Sequence, residues 1–478
     1  MDFPTVSVII PTYKGADVIT DAVQSILDQT YPHFEIIIVD DASPDHTADV
    51  VKKIRDPRIK YLIQEKNQGP RFARKAGIHA SSGEIIAFLD QDDLYHPEKL
   101  QTHVDFLKKH PDVGMSYNAR FSIIDSLETI RDIWHPPQQL GFSDAVLGFP
   151  LAPSDLVFRR EWGIRTEYME GGWGNSGGEI VLLGRLIFDG CKTGYVDRAL
   201  NYRRFQSGRI FGNISGNCQS ELKCLEIIFS DPRCPGEAIN LRTIASIQIY
   251  IYWGSRAFIQ GQTELGREYY LKAFQLNPAI MQGDPSPLIN YLLDFVIEDE
   301  GQDHVDLLKR IFAGLSAEMK HLSAESDWAV KCGYVMKAAR AIAWGRAEKG
   351  QAFIQQAERS GTEINESHFH RLGSILLGYD VEFGAKAARK VLRDWARYFD
   401  KLIDQAGIRQ LEGTYLLSRA FRSYHSGDYA KVPGKVIRAL ANNPAYLRAP
   451  GVISILVRSL RGMVRQQAGS ASYPLAII

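Results

Sequence analysis

The first hundred residues alternate between short apolar runs and amphipathic segments, and this alternation limits the possible folds more than any other feature of the chain. Apolar runs of strand length occupy residues 6–10, 34–39, 59–63 and 85–89. Helical patterns lie between them at residues 17–29, 47–54 and 71–80. Strands that are apolar on both faces and alternate with helices form parallel sheets covered by helices. The sequence therefore predicts an α/β domain with a mainly parallel sheet and helices on both faces.

Acidic residues follow two of the predicted strands. Asp40 and Asp41 come after the second strand, and Asp90, Asp92 and Asp93 come after the fourth, in the run DQDD. In open α/β sheets, ligands bind beyond the carboxyl ends of the strands. Carboxylates suit hard cations such as Mg²⁺ or Mn²⁺, which also take phosphate oxygens. Taken alone, DQDD is explained equally well as an acidic turn before the next helix.

The pattern becomes less regular after residue 113. The next segments are an apolar stretch, a Gly/Trp-rich loop, a helix and a strand leading into NYRRF, at residues 113–124, 171–178, 179–188, 193–196 and 201–205. Beyond about residue 238 the chain is rich in helical periodicity and nearly free of strand signals. We therefore predict two domains, the α/β domain at 1–236 and an all-α domain at 237–478.

Two segments of the helical half resemble each other. Residues 269–278 and 435–444 each form an apolar helical pattern that ends in Asn-Pro. Each follows an Arg-Ala-Phe helix and a turn that contains a glycine, Gly261 or Gly427. This layout is typical of tetratricopeptide-like helical hairpins. An irregular helical domain with two similar helix ends is the alternative interpretation.

Composition excludes several classes of protein. Lys plus Arg and Asp plus Glu number 56 each, so net charge gives no indication of nucleic acid as a partner. No run approaches the roughly 20 apolar residues of a transmembrane helix, and the N-terminus lacks a secretory signal pattern. Five irregularly spaced cysteines indicate neither a zinc site nor a disulfide framework. We expect a cytoplasmic protein with reduced thiols.

Six motifs occur in order within the first 204 residues. They are VSVIIPTYKG (6–15), IIIVDDASPDHT (36–47), NQGPRFARKAGI (67–78), GEIIAFLDQDD (83–93), GGE (177–179) and NYRR (201–204). In this order the segment resembles the family 2 glycosyltransferases with the GT-A fold. The resemblance implies an inverting, metal-dependent enzyme that moves a sugar from a nucleotide-sugar donor, with a UDP-sugar favoured, to a hydroxyl group. The implied acceptor is a glycan or lipid-linked molecule in polysaccharide or cell-surface glycan synthesis.

The resemblance also implies a donor site. Pro11 and Tyr13 would cradle the base and ribose, and the Asp41 carboxylate would accept a hydrogen bond from the uracil N–H group. Arg71 or Arg74 would add a charged contact to the donor. NYRRF lacks the histidine that often follows the arginine pair in relatives. The diphosphate contact would therefore pass to Arg203, Arg204 or the tyrosine before them.

A metal site and a catalytic base complete the implied machinery. Asp93 would be the firmer ligand of Mn²⁺ or Mg²⁺, Asp92 would contact both ribose and metal, and Asp90 would orient them. Glu179 would take the proton from the acceptor hydroxyl. The alternative for Glu179 is an acid that stabilises the start of a helix through the helix dipole. Aromatic residues that could stack on an acceptor sugar are Trp162, Tyr168 and Trp173.

Other functions fit the sequence less well. A dinucleotide-dependent oxidoreductase needs GxGxxG after its first strand, and a P-loop enzyme needs GxxxxGK[ST]; neither motif is present. A nucleotidyltransferase usually has a Gly-rich basic loop there, where this chain offers Lys14 and Gly15. A non-catalytic scaffold that binds nucleotide sugar and acts through its helical domain remains the alternative. We also expect a protein partner or self-association through the C-terminal helices, and peripheral attachment at the inner membrane face.

Overall fold

A computed structural model describes residues 5–124, 126–147, 151–165, 176–205, 213–297, 303–448 and 451–470. Within these ranges nine strands form one sheet. The strands are β1 Val6–Thr12, β2 Phe34–Asp40, β3 Ile59–Ile63, β4 Ile85–Phe88, β5 Leu94–Tyr95, β6 Met115–Ile124, β7 Ser126–Trp134, β8 Leu156–Arg159 and β9 Thr193–Phe205.

The sheet combines a parallel half with a mixed half. Its strands lie in the order β3–β2–β1–β4–β8–β6–β9–β5, and β7 pairs with β6. β3, β2, β1 and β4 are parallel to one another, which confirms the predicted parallel sheet for this half. β8 runs antiparallel to both β4 and β6, whereas β6 and β9 are parallel. The carboxyl ends of β1, β2 and β4 therefore meet at one edge.

Helices account for most of the remaining described residues. Those of the sheet region are α1 Ile19–Leu27, α2 Thr47–Lys53, α3 Pro70–Ala80, α4 Lys99–Lys109, α5 Phe142–Val146, α6 Arg160–Arg165 and α7 Gly178–Phe188. Those that follow are α8 Ile214–Phe229, α9 Ile239–Ile259, α10 Thr263–Leu276, α11 Pro287–Val296, α12 His304–Gly314, α13 Ser326–Ala343, α14 Ala347–Arg359, α15 Glu366–Phe383, α16 Ala385–Tyr398, α17 Gln405–His425, α18 Val432–Asn442 and α19 Val452–Ser470. The predicted helical C-terminal region is thus confirmed.

Helices cover both faces of the sheet, as predicted. Val8 and Ile10 of β1 belong to a core shared with α1, α2 and α4. Ile9 belongs to the core on the other face, with Ala73 of α3 and Leu183 of α7. Successive side chains of a strand point to opposite faces, so one apolar strand supplies both cores.

Two predicted strand bounds are wrong. β1 does not stop before Pro11 but continues to Thr12, still in register with β2. The Ile9 carbonyl faces β4, and the backbone nitrogen of Pro11 lies on the same side of β1. Because the pairing of β1 with β4 ends at Ile9, the N–H that proline lacks has no strand partner to lose. The strand predicted at 193–196 continues to Phe205 because it pairs with β6 along its length. NYRRF therefore lies on a strand, not beyond one.

The chain divides into two compact units, residues 1–330 and 331–478. The first contains the sheet together with α8–α12, and the second is helical. The last strand of the sheet, β9, ends at Phe205, well before the first unit ends at residue 330. The predicted domain boundary at 236 stays a prediction. No helix in the described ranges has the length and apolarity needed to cross a bilayer.

Helical hairpins occur at both predicted places and at a third. The pairs α9–α10 and α17–α18 turn at Gly261 and Gly427, each with a φ of +76°, which favours glycine. α13 and α14 turn in the same way at Gly345, with a φ of +75°. An Arg-Ala pair precedes each turn, at residues 256–257, 419–420 and 340–341, and this signal could have revealed the third hairpin.

Candidate active site

Gln91 ties the DQDD turn to the loop after β1. Its Oε1 accepts from the Thr12 hydroxyl at 2.6 Å and from the Tyr13 N–H at 3.0 Å, and its Nε2 donates to the Tyr13 carbonyl at 3.1 Å. The carboxyl ends of β1 and β4 are thereby held together. Gln91 was not predicted as a site residue, because a neutral amide among acids gives no charge signal.

The loop after β1 is braced against the VDD turn. Lys14 and Ala42 both adopt left-handed backbone conformations, with φ of +52° and +58°, which cost energy in residues other than glycine. The Lys14 N–H donates to the Ser43 hydroxyl at 3.0 Å. Pro11 is buried, whereas Tyr13 is 39% exposed. Of the two predicted base contacts, Tyr13 is therefore the one whose side chain reaches solvent at this edge.

Both carboxylates of the VDD turn are buried and bonded. Asp41 accepts from the N–H groups of Gln68 and Gly69, at 2.9 and 2.6 Å, and so holds the start of α3. Asp40 accepts from the Ser43 N–H at 2.8 Å and from the Tyr61 hydroxyl at 2.5 Å. A carboxylate oxygen can accept more than one hydrogen bond. The predicted uracil contact of Asp41 stays a prediction, and the structure adds a loop-holding role.

The two arginines of α3 face different surroundings. Arg74 is buried and forms an ion pair with Asp90, with 2.6 Å between Nη2 and Oδ1. Arg71 is also buried. Burial raises the pKa of the Cys224 thiol on α8, and the positive charge of Arg71 partly opposes this rise. Arg74 thus belongs to the DQDD turn, and Arg71 faces α8.

Asp93 is the most enclosed carboxylate of the DQDD turn, with 4% of its surface exposed. Its Oδ2 accepts from the Ser154 hydroxyl at 2.7 Å, and its Oδ1 accepts from the Arg204 N–H at 3.2 Å. The Ser154 oxygen also accepts from the Asp90 N–H at 3.1 Å. Burial, together with the charges of Asp92 and Asp90, raises the pKa of Asp93 to about 8. A cation at this point would relieve that repulsion.

The residues at DQDD fit a cation that binds together with a diphosphate. The described residues contain no group of three or more His, Cys, Asp or Glu side chains arranged to hold a metal on its own. Asp90 forms an ion pair with Arg74, and Asp92 and Asp93 are the other two carboxylates of the turn. Mg²⁺ in nucleotide sites commonly uses one or two carboxylates and takes its other ligands from phosphate and water. The donor set therefore fits such an ion and not a closed structural metal site.

The arginines of NYRRF also differ in position. The Arg204 side chain forms an ion pair with Asp21, with 3.0 Å between Nη2 and Oδ2. Arg203 is close enough to Asp93 for its charge to oppose the rise in the pKa of that carboxyl. The charge of Arg203 thus acts on the DQDD turn, whereas the side chain of Arg204 is held by Asp21.

A buried polar chain fixes the turn that carries Ser154. Asp155, fully buried, accepts from Arg120 Nη1 at 2.5 Å and from Asn201 Nδ2 at 3.0 Å. The Asn201 oxygen accepts from Asn118 Nδ2 at 2.5 Å, and Asn118 in turn accepts from Lys99 Nζ at 2.5 Å. Buried polar groups need such partners, so the chain joins β6, β9 and α4 beneath the site.

Glu179 lies in the first turn of α7 and close to a second carboxylate. Gly177, two residues before Glu179, has a φ of +86° and packs on α8, where an added Cβ would lie 2.9 Å from Glu221 Cγ. The Ser176 hydroxyl donates to the Glu221 carboxylate. Burial raises the pKa of Glu221; Ser176 and Trp253 oppose this rise, and the charge of Glu179 adds to it. The turn that carries Glu179 is thus anchored on α8 and α9.

The predicted aromatic residues have different outcomes. Trp162 packs against the core. It lies so close to Gly114 and Cys191 that a Cβ added to Gly114 would clash with both side chains. Tyr168 and Trp173 lie outside the described residues, as does most of the Gly/Trp-rich loop. The described part of the site therefore offers no acceptor-stacking ring from this set.

The loop after β1, the VDD turn and the DQDD turn converge at one sheet edge in the order predicted from the motifs. Residues 7–160 match the family model described as Glycosyl transferase family 2. The match spans β1 to β8, and the resemblance to this family is confirmed for that segment.

Curated relatives match the same region. The chain is 35% identical over 160 residues to the putative teichuronic acid biosynthesis glycosyltransferase TuaG of Bacillus subtilis, covering 33% of this chain and 63% of the relative. It is 37% identical over 143 residues to an Escherichia coli protein, the UDP-Glc:alpha-D-GlcNAc-diphosphoundecaprenol beta-1,3-glucosyltransferase WfgD, covering 30% and 55%. The chain thus spans less than two thirds of the length of these relatives.

A solved structure with a similar arrangement is that of S. aureus TarS 1–349 in complex with UDP-GlcNAc. It is 17% identical, covers 76% of this chain and 93% of its own, and superposes with a TM-score of 0.41.

Proposed function

We propose that this protein is an inverting, metal-dependent family 2 glycosyltransferase. It transfers a sugar from a nucleotide-sugar donor, a UDP-sugar in the first instance, to a hydroxyl of a glycan or lipid-linked acceptor in polysaccharide or cell-surface glycan synthesis. The observation that carries the proposal is the convergence of Tyr13, Asp41 and the DQDD carboxylates at one sheet edge, within the segment that matches the family. The names of the relatives support the class of pathway.

In this proposal the donor end of the site recognises a charged nucleotide. The exposed ring of Tyr13 stacks on the base, and Asp41 accepts from the base N–H. Arg203 offsets charge on the diphosphate, and Arg74 keeps Asp90 in place. Asp93 and Asp92 would hold Mn²⁺ or Mg²⁺, which supplies charge neutralisation as the sugar–phosphate bond breaks.

At the acceptor end, Glu179 serves as the general base. It takes the proton of the acceptor hydroxyl as that oxygen bonds to the anomeric carbon, and the nucleotide leaves from the opposite side of the sugar. Attack opposite the leaving group inverts the anomeric centre. Glu179 lies in the first turn of α7, where the helix dipole favours negative charge.

The experiment is a transfer and hydrolysis assay of the full chain with a panel of nucleotide sugars and Mn²⁺. Glu179→Gln is expected to lower turnover by at least about 100-fold, the size of a general-base contribution, while UDP affinity is unchanged. Glu226→Gln, an exposed residue of α8, is the matched control. Turnover that is equal in Glu179→Gln and the control would overturn the assignment of the base.

The non-catalytic scaffold is the second candidate, and the helical hairpins favour it. The hairpins α9–α10, α13–α14 and α17–α18, which share a left-handed glycine turn, are consistent with a tetratricopeptide-like protein-binding or self-association role of the predicted domain 237–478. The two roles can coexist. Nucleotide-sugar binding without turnover of any donor, in the assay above, would favour the scaffold alone.

A further inference from the structure

The C-terminal part of the chain carries a strong positive charge that the whole-chain balance hides. Residues 429–478 contain seven basic residues and no acidic residue, although the chain as a whole has 56 of each charge. The basic residues are Lys431, Lys435, Arg438, Arg448, Arg458, Arg461 and Arg465. A basic region of this kind attracts anionic surfaces.

Four of these arginines point away from the protein. Arg438, Arg448, Arg458 and Arg461 are exposed, and none of them forms an ion pair within the described residues. The lysines differ: Lys431, for example, lies 2.7 Å from Asp428. The arginine charges are therefore available to an external partner.

Each exposed arginine directly follows an exposed apolar residue. The four apolar residues, Ile437, Leu447, Val457 and Leu460, are 41–62% exposed. Single exposed apolar residues are ordinary, but five of the thirteen large ones among the described residues lie between 437 and 460. We call the exposed side chains of residues 437–448 and 451–461 the C-terminal basic surface.

α19 organises part of this surface into an amphipathic face. Ile453, Val457 and Leu460 follow one another at helical spacing and are exposed, whereas Val452 and Ile455 are buried against the preceding helices. An exposed apolar stripe flanked by arginines is the pattern of helices that lie in the interface of a bilayer.

We propose that the C-terminal basic surface docks the protein onto an anionic lipid bilayer. The unpaired arginines meet the lipid headgroups, and the α19 stripe enters the boundary of the acyl chains. Nucleic acid would leave the apolar stripe unused, so lipid is the partner that uses both features. The inference goes beyond the proposed function, because it depends neither on the donor nor on catalysis.

The test is vesicle flotation of the full chain at low and high salt. Vesicles of equal parts phosphatidylglycerol and phosphatidylcholine are compared with vesicles of phosphatidylcholine alone. Binding is expected only to the anionic vesicles and is expected to fall with salt, because exposed charges are screened. The double variant Arg458→Gln, Arg461→Gln is expected to partition about 25-fold more weakly, since an arginine near an anionic surface contributes about fivefold.

Matched controls decide the cause. Arg389→Gln with Arg393→Gln removes two exposed charges from α16 of the same unit and is expected to bind like the unmodified protein. Val457→Ser is expected to weaken binding without changing the salt dependence. Equal binding to both vesicle types, or to neither, overturns the proposal. Self-association that Ile453→Asp abolishes, without vesicle binding, assigns the surface to a second copy instead and also overturns it.

Discussion

Asp93 is ionised only at a cost, because burial and two neighbouring carboxylates oppose its charge. Ser154 limits that cost, because its hydroxyl donates a hydrogen bond to the Asp93 carboxylate. The same hydroxyl oxygen accepts a hydrogen bond from the Asp90 N–H. The serine is fully buried on a turn that Asp155 fixes from below. Ser154, a neutral residue about 60 positions after the acidic turn, therefore holds Asp90 and Asp93 in place at the scale of single residues.

We predict that Ser154→Ala weakens Mn²⁺ binding measured by calorimetry in the presence of UDP. Removal of a residue that orients a metal ligand typically costs about 10- to 100-fold in affinity. Ser374→Ala, an exposed serine of α15, is the control. An unchanged Mn²⁺ affinity in a folded Ser154→Ala protein would show that the hydroxyl does not position Asp93.

The common position of the acidic residues at one sheet edge was predictable, but their neutral supports were not. Asp41, Asp90, Asp92 and Asp93 follow apolar runs directly, so their common edge follows from the parallel sheet. Gln91 gives no charge signal, and Ser154 and Glu221 lie far from their partners in the sequence. Contacts of that kind depend on tertiary packing, which a single sequence does not specify.

At the scale of elements, close helix packing explains why small residues recur in the hairpins. A Cβ on Gly266 of α10 would lie 2.8 to 2.9 Å from three ring atoms of Phe258 on α9. Gly350 of α14 meets Ile342 of α13 in the same way, at 2.6 Å. These distances leave no room for a methyl group, so glycine sets the spacing of both helix pairs.

We predict that Gly266→Ala destabilises the protein by about 1–3 kcal/mol, because overpacking outweighs the gain of about 1 kcal/mol in helix propensity. Gly434→Ala is the matched control: Gly434 lies in α18 with no atom within 4 Å of an added Cβ, so the same change should stabilise by up to about 1 kcal/mol. Urea unfolding measures both. A stabilised Gly266→Ala would contradict the packing argument.

Element bounds follow from sequence where a strand is short and mostly apolar. β3 was predicted to the residue, and β2 to within one. β9 was predicted too short because charged residues interrupt its apolar pattern at Asp197, Arg198, Arg203 and Arg204. Pairing with β6 holds these residues in the sheet. The hairpin α13–α14 was missed because α14 ends at Arg359 and is not followed by the Asn-Pro that marks the other two.

At the scale of the whole molecule, Glu35 joins strands at the edge opposite the site. Its carboxylate accepts from the hydroxyls of Ser7 and Ser82, at 2.6 and 2.8 Å, and lies 2.7 Å from Lys60 Nζ. Although burial opposes the charge, Lys60 and the serines lower the pKa of Glu35 to about 2. One carboxylate thereby links β1, β2, β3 and the segment before β4.

The depressed pKa of Glu35 predicts acid sensitivity. A carboxyl with a lowered folded-state pKa adds stability above its unfolded pKa, and this stability is lost as the pH falls from about 4.5 to about 2. Glu35→Gln is expected to lower the free energy of unfolding by on the order of 2–3 kcal/mol at pH about 7, with the difference shrinking toward pH about 2. Denaturant unfolding at several pH values, with Glu226→Gln as control, measures it. A pH-independent difference would contradict the charge argument.

The anchoring of the Glu179 turn on α8 and α9 has a practical consequence for anyone who shortens this protein. Glu221 and Trp253 lie on either side of residue 236, where sequence periodicity suggests a cut. A fragment that ends there would retain every motif of the family yet expose the apolar underside of α7 and α8. Expression libraries and chimaeras should therefore treat residues up to at least 259 as inseparable from the segment that carries the family motifs.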